Sequence, residues 1–308
     1  MGLRFAAVLS LTLSGLAAAC TVVSSSEPEP GFEEGRGDAG KPGPDARASA
    51  GDSGPTEDTG TGDTPDAAGS SGCEAAPTRP PATLQLDAFY TKYLDAHGVP
   101  VVSSAAPSDD ALRVVCRLAV RMMQKRDDVR LAAIEHSLRI GVMGSEQVTT
   151  DMPEHADLNE VFPATDWDVR ARGLGATVDR PLSSCAEENV SCLAGDRYVG
   201  ENIFVHEFSH SLYGLGVVYA EPAFAGRLRA AYEASLEAGR WANTYAAENA
   251  DEYWAEGVQS FLGVNLESIP SNGIHNEIDT RAELETYDPA LFELVAEIFE
   301  PVDLPLCP

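Results

Sequence analysis

One segment, residues 203–213 (Ile-Phe-Val-His-Glu-Phe-Ser-His-Ser-Leu-Tyr), constrains what this chain can fold into more than any other. A helix here places His206 and His210 one turn apart on one face, so two imidazoles can reach one metal ion with Glu207 beside them. An apolar stripe lies roughly opposite and consists of Phe204, Phe208 and Leu212. The segment is therefore predicted to be a helix between a core and a cleft. The alternative is a chance match at three fixed positions, which the motif alone does not exclude.

A metal site of this kind needs a third protein ligand, because a catalytic zinc commonly has three and keeps a fourth position for water. Position 216 is Gly216, which excludes the pattern HExxHxxGxxH, in which a histidine would stand there. A carboxylate from a later helix is the other common solution. The helix predicted for residues 247–262 offers four acidic candidates, which are Glu248, Asp251, Glu252 and Glu256. Glu252 and Glu256 share a face, so one can bind a metal while the other orients a ligand histidine.

Residues 244–256 (Thr-Tyr-Ala-Ala-Glu-Asn-Ala-Asp-Glu-Tyr-Trp-Ala-Glu) resemble the downstream segment of gluzincin metallopeptidases of the anthrax lethal factor type. In that family a tyrosine precedes the metal-binding glutamate by seven positions, and an aromatic pair and a second glutamate follow it. Here Tyr245 precedes Glu252 by seven, Tyr253 and Trp254 form the pair, and Glu256 is the second glutamate. The resemblance covers residues 203–263.

The resemblance implies a zincin-like catalytic domain with an α+β fold dominated by helices. A small antiparallel or mixed sheet would pack on the helix that carries His206 and His210. It further implies one Zn²⁺ per domain, held by those two histidines and Glu252. Glu256 would orient a ligand histidine, and Tyr245 would stabilise the transition state. The substrate implied is a protein or peptide.

The chemistry of the same residues agrees with these roles. Zinc lowers the pKa of a bound water, Glu207 can accept the proton, and the phenol of Tyr245 can donate to a developing oxyanion. We therefore expect a zinc-dependent endopeptidase. Two alternatives stay open at this point: a surface-anchored binding or adhesion module with a relic metal site, and a zinc amidase that acts on cell-wall peptides.

Residues 1–19 have the pattern of an export signal. A single charge at Arg4 precedes an apolar run over residues 5–16, which is too short to span a bilayer, and small residues follow before Cys20. The end of this segment resembles a bacterial lipoprotein signal, in which Cys20 would be lipidated. Ala17 stands where that pattern has a larger aliphatic residue, so ordinary cleavage after Ala19 is the alternative. We expect an exported protein, on the bacterial cell envelope or surface as a lipoprotein, or otherwise secreted.

Residues 20–76 are rich in Gly, Pro, Ser and acidic residues with a single aromatic, Phe32, and are predicted to be a disordered tether to a catalytic domain at 77–308. The whole chain has 49 acidic and 21 basic residues and a formal net charge of −28. That charge argues against nucleic acid and anionic membrane surfaces as partners. Any contact with a membrane is expected only through a lipid at Cys20.

Within the domain, periodicity predicts helices at 84–97, 109–125, 129–138, 221–238, 247–262 and 288–300. A strand is expected at 140–143, and strand and turn without helix at 164–180.

The cysteines of an exported chain are expected to form disulfides. Cys185 and Cys192 are close in sequence and are predicted to pair locally, while Cys73 and Cys307 are predicted to join the two ends of the domain. Cys116 is then left as a buried free thiol.

Overall fold

A five-stranded mixed sheet forms one layer of the fold, which the computed structural model describes for residues 72–306. The strands lie in the order β1-β2-β3-β5-β4 and are β1 (Lys92–Ala96), β2 (Val99–Ser103), β3 (Arg139–Met143), β4 (Gly173–Leu174) and β5 (Leu182–Ala186). The outer pairs β1–β2 and β4–β5 are antiparallel, whereas β2–β3 and β3–β5 are parallel. All residues of β5 are buried, as expected of an inner strand that is covered on both faces.

Helices make up most of the remaining regular structure of residues 72–306. They are α1 (Asp109–Met123), α2 (Asp127–Glu135), α3 (Leu158–Val161), α4 (Trp167–Arg170), α5 (Glu187–Val190), α6 (Ile203–Leu212), α7 (Val218–Ala220), α8 (Phe224–Glu237), α9 (Ala250–Phe261), α10 (Arg281–Tyr287) and α11 (Pro289–Ile298). The predicted class, α+β dominated by helices with a small mixed sheet, is confirmed. The predicted helices that correspond to α1, α2, α8, α9 and α11 are present, with ends that agree within about three residues.

Two local predictions were wrong. The predicted helix at 84–97 is absent, because residues 92–96 form β1 and turn back into β2 as an antiparallel hairpin. His97 and Gly98 close this turn with φ of 53° and 92°, a left-handed conformation that ends a strand and is incompatible with a continuing right-handed helix. The second case is the segment 164–180, which contains β4 as expected but also the helical turn α4.

The predicted signal peptide (1–19), nearly all of the predicted tether (20–76), Cys20 and Cys307 lie outside the described residues. The boundary at residue 77 stays a prediction. Within residues 72–306, no helix combines the length and the apolar composition needed to cross a bilayer.

Alternating residues of the strands supply two hydrophobic clusters, one on each face of the sheet. On the larger side, Ile140, Val142 and Cys185 join a core that includes residues of α1, α6, α9 and α11. On the other face, Val102, Met143, Leu182 and Ala186 pack with Tyr90 and Met152. The sheet is thus covered on both sides, and α6 belongs to its larger, helical layer.

The predicted disulfide pattern was wrong. Cys73 is bonded to Cys116 of α1, with 5.5 Å between the Cα atoms, so neither the pairing of Cys73 with Cys307 nor a free Cys116 is found. Cys185 is a free, fully buried thiol on β5. Cys192 lies beyond α5 at the exposed surface and is itself disulfide-bonded. The predicted pairing of Cys185 with Cys192 is therefore absent, because the Cys185 thiol is enclosed in the core while Cys192 is exposed and bonded elsewhere.

Asp288 is a buried carboxylate that connects several elements of the helical layer. Its Oδ2 atom accepts hydrogen bonds from Ser235 Oγ at 2.6 Å, Tyr253 Oη at 2.8 Å and Trp241 Nε1 at 3.0 Å. Its Oδ1 atom accepts from the backbone N–H of Leu291, which caps α11. One carboxylate therefore links α8, the loop before α9, α9 itself and the start of α11.

His155 is a buried histidine far from the motif histidines in sequence, on the turn Pro153–His155. Burial lowers its pKa from 6.5 to about 4, against the opposing charge of Glu154. The folded protein therefore keeps this imidazole neutral at pH values where an unfolded chain would protonate it.

We predict an acid-induced loss of stability from His155. Between pH 6.5 and 4 the unfolded chain binds a proton that the folded chain does not, so stability present above pH 6.5 falls by about 3 kcal/mol as the pH drops to 4. Urea unfolding of the wild type and of His155→Gln across this range measures the effect. The variant should lose correspondingly less stability, and parallel stability profiles for the two proteins would contradict the prediction.

Candidate metal centre

Asn202 immediately precedes α6, and its side-chain oxygen accepts a hydrogen bond from Val205 N at 3.2 Å. This contact caps the first turn and satisfies one of the N–H groups that a helix start leaves unpaired. A second such group, Ile203 N, donates to Asn189 Oδ1 at 2.9 Å. All ten residues of α6 are buried, and the helix contacts both β5 and α9. The predicted motif thus lies on a buried helix, and this helix packs against α9.

Three side-chain atoms from α6 and α9 converge on one point. His206 Nε2 lies 3.1 Å from His210 Nε2 and 3.1 Å from Glu252 Oε2, and His210 Nε2 lies 3.3 Å from the same carboxylate oxygen. Ligand atoms placed tetrahedrally about 2.0–2.1 Å from an ion would be about 3.3 Å apart. The three donors therefore fit the base of a tetrahedral metal site. Within residues 72–306 no other group of three or more His, Cys, Asp or Glu side chains meets this criterion.

Of the four acidic candidates, the structure places only Glu252 at the point where the Nε2 atoms of the two histidines converge. Asn249 caps α9 by accepting from the N–H groups of Asp251 and Glu252, which sets Glu252 in the first turn. Trp254 Nε1 donates to the carbonyl of Ser209 at 3.1 Å and joins α9 to α6. Glu248 is exposed before the helix begins.

Tyr245 also reaches this site. Its hydroxyl donates to Glu252 Oε1 at 3.0 Å, so the phenol binds the carboxylate oxygen that does not face the histidines. The ring is nearly parallel to that of His206, with 6.3 Å between the centroids. The backbone N–H of Tyr245 donates to the carbonyl of Ile274, which holds the preceding loop in place.

Glu207 is buried between α6 and the segment 173–175. A Cβ atom added to Gly173 would lie 3.1 Å from Glu207 Cγ, and one added to Gly175 would lie 3.5 Å from Glu207 Oε2 and 2.9 Å from His210 Cβ. Any larger residue at these two positions would crowd the motif. The glycines therefore leave space for the Glu207 carboxylate beside His210.

Glu256 and Gln259 both approach the outer nitrogen of His206. The Nδ1 atom lies 2.7 Å from Gln259 Oε1 and 3.6 Å from Glu256 Oε1. Glu256 accepts a hydrogen bond from Asn265 Nδ2 at 3.2 Å instead. The sequence predicted that Glu256 orients a ligand histidine, and Gln259 was not predicted to have this role. The spacing carried a signal, because Gln259 is seven residues after Glu252 and so shares its face of α9.

The electrostatics favour a cation at this point. Burial by itself would lower the pKa of His206, but the hydrogen-bonded Glu252 carboxylate and the charges of Glu207 and Glu256 raise it to about 10. Burial would raise the pKa of Glu252, but the imidazoles of His210 and His206 lower it to about 2. The carboxylates therefore stabilise positive charge beside His206, which a proton or a metal ion can supply. Since metal binding requires neutral imidazoles, a bound cation replaces this proton.

No protein-family model matches this sequence, and no curated protein matches it. Among solved structures, a Pro-Pro endopeptidase from Paenibacillus alvei is similar, with a TM-score of 0.45 and 17% sequence identity. The match covers 65% of this chain and 97% of that chain. A TM-score below 0.5 does not establish a common fold, so what the site does has to be inferred from its own side chains.

We predict that Glu252→Ala abolishes metal binding. Loss of a side chain that merely supports a ligand costs about 10- to 100-fold in affinity, so loss of a ligand should cost more than about 100-fold. Glu248→Ala is the matched control, because it removes an exposed carboxylate four residues away. Elemental analysis of the purified proteins measures the metal content. Full metal occupancy in Glu252→Ala would show that a residue other than Glu252 is the third ligand.

Proposed function

We propose that this protein is an exported zinc-dependent endopeptidase of the gluzincin type. The observation that carries the proposal is the convergence of His206, His210 and Glu252 within 3.3 Å of one another, with Glu207 on the same helix. The resemblance of residues 203–263 to the lethal factor type supports the finer class. The sequence of residues 1–20 supports export and an anchor through a lipid at Cys20.

Zinc fits the donor set better than a hard cation does. Two imidazoles and one carboxylate are a ligand set of catalytic zinc, whereas magnesium and calcium prefer oxygen ligands alone. His206, His210 and Glu252 would hold the ion. When bound, it would polarise the peptide carbonyl and lower the pKa of a water molecule toward neutrality.

Glu207 is the general base of the proposed reaction. Its carboxylate lies on the same helix as both histidines and is shielded from solvent, so it can accept a proton from the attacking water without competition from bulk water. It can then pass that proton to the leaving amine. Gly173 and Gly175 leave the space that this carboxylate needs.

Tyr245 stabilises the oxyanion that forms as water adds to the peptide carbonyl. In the described structure its hydroxyl donates to Glu252 Oε1, which keeps the phenol beside the converging donors. A developing negative charge is a stronger acceptor than this carboxylate oxygen, which would share its charge with the metal. The phenol therefore forms a stronger hydrogen bond with the oxyanion of the transition state than with the neutral carbonyl of the bound substrate.

We predict that Glu207→Gln binds zinc as the wild type does but hydrolyses protein at least about 100-fold more slowly, because the amide cannot accept the proton. The assay is chelator-sensitive digestion of casein, with zinc content and thermal unfolding measured on the same samples. Unchanged hydrolysis in Glu207→Gln would contradict the proposed mechanism.

Assays of the wild type on purified cell-wall peptides distinguish the endopeptidase from the two alternative functions, an amidase and a binding module. Hydrolysis of those peptides with none of casein would favour an amidase. Zinc binding with no hydrolysis of either substrate would favour a binding module.

A further inference from the structure

We propose that Gln259 is the residue that positions the metal ligand His206, by accepting the hydrogen bond of its Nδ1–H group. This inference rests on the proposed metal site and adds a residue to it. The role had been expected of Glu256, whose carboxylate lies farther away.

The geometry of His206 determines where its proton must be. Its Nε2 atom faces His210 Nε2 and Glu252 Oε2, both at 3.1 Å, so this is the nitrogen that would offer its lone pair to an ion bound between the three side chains. A neutral imidazole that binds through Nε2 carries its hydrogen on Nδ1. The Nδ1–H group is buried and therefore needs an acceptor.

Only one of the two nearby side chains is at hydrogen-bond distance. Gln259 Oε1 lies 2.7 Å from Nδ1, whereas Glu256 Oε1 lies at 3.6 Å, beyond the range of a normal hydrogen bond. Glu256 is bound on its other oxygen by Asn265. The nearer acceptor is thus a neutral amide.

The amide of Gln259 is itself held in one orientation. Its Nε2 group donates to the carbonyl of Asn202 at 3.3 Å, and Asn202 is the residue that caps α6. A flipped amide would place its NH₂ against the Nδ1–H of His206 and its oxygen against the Asn202 carbonyl, which are two unfavourable contacts. The side chain is fully buried, so no water can relieve them. Gln259 is therefore a rigid link from α9 to both the start of α6 and its first histidine.

The second histidine provides an internal comparison. His210 Nδ1 is buried and has no hydrogen-bond partner in the described part of the chain. Of the two imidazoles, only that of His206 is fixed by a bond to its outer nitrogen. The orientation of His206 is thus the one that depends on a particular side chain.

The test compares Gln259→Met with Glu256→Gln in the full chain. Methionine keeps the length and much of the volume of glutamine but offers no comparable acceptor. We expect Gln259→Met to bind Zn²⁺ about 10- to 100-fold more weakly than the wild type in competition with a chromophoric chelator. The loss in Glu256→Gln should be smaller. Ser260→Ala, which removes a buried hydroxyl from the next position of α9, controls for damage to the helix.

Proton NMR of the zinc-loaded protein supplies a readout that a purely structural role would not change. The wild type should show a downfield Nδ1–H resonance of His206 that is protected from exchange, and Gln259→Met should lose it. If that variant does not fold, the wild-type spectrum decides, because absence of the protected resonance overturns the proposal. Unchanged zinc affinity in Gln259→Met, or a larger loss in Glu256→Gln, also overturns it. Failure of the wild type to bind zinc would instead refute the proposed function.

Discussion

The contact between α6 and α9 is the constraint on which the rest of this structure depends. Two of the converging donors come from one helix and the third from the other, so three atoms stay within 3.3 Å only while the helices are fixed against each other. Two buried polar contacts fix them: Trp254 donates to the carbonyl of Ser209, and Gln259 donates to that of Asn202. Both use backbone acceptors of α6 or its cap, which tie the position of the whole helix to α9.

The elements around this helix pair place the remaining groups. On one side, the segment 173–175 next to β5 passes close to α6 because its two glycines have no side chains, and Glu207 occupies the space. On the other side, Asp288 holds Tyr253 of α9 and Trp241 of the loop that leads to Tyr245. Glu207, the three converging donors and Tyr245 are therefore supported by separate contacts, as a preorganised site requires.

The sequence predicted what depends on local spacing and missed what depends on the path of the chain. The motif of α6 and the choice of Glu252 follow from helical periodicity and from a resemblance that spans two segments. The residues 84–97 satisfied helical spacing, yet a hairpin there completes the sheet, so tertiary pairing overrode the pattern. The bond between Cys73 and Cys116 could not be deduced, because pairing depends on which surfaces the fold brings together. Gln259 was not predicted either, because its amide oxygen faces His206 only when the Asn202 carbonyl binds the amide nitrogen, and that contact depends on how α6 and α9 pack.

X-ray absorption at the zinc edge tests the central claim most directly, on chain stripped of metal and reloaded with one equivalent of Zn²⁺. The proposed site predicts a first shell of nitrogen and oxygen at about 2.0–2.1 Å, with outer-shell scattering from two imidazoles and no sulfur. A sulfur shell at about 2.3 Å, scattering from fewer than two imidazoles, or no specific binding of the added zinc would contradict it.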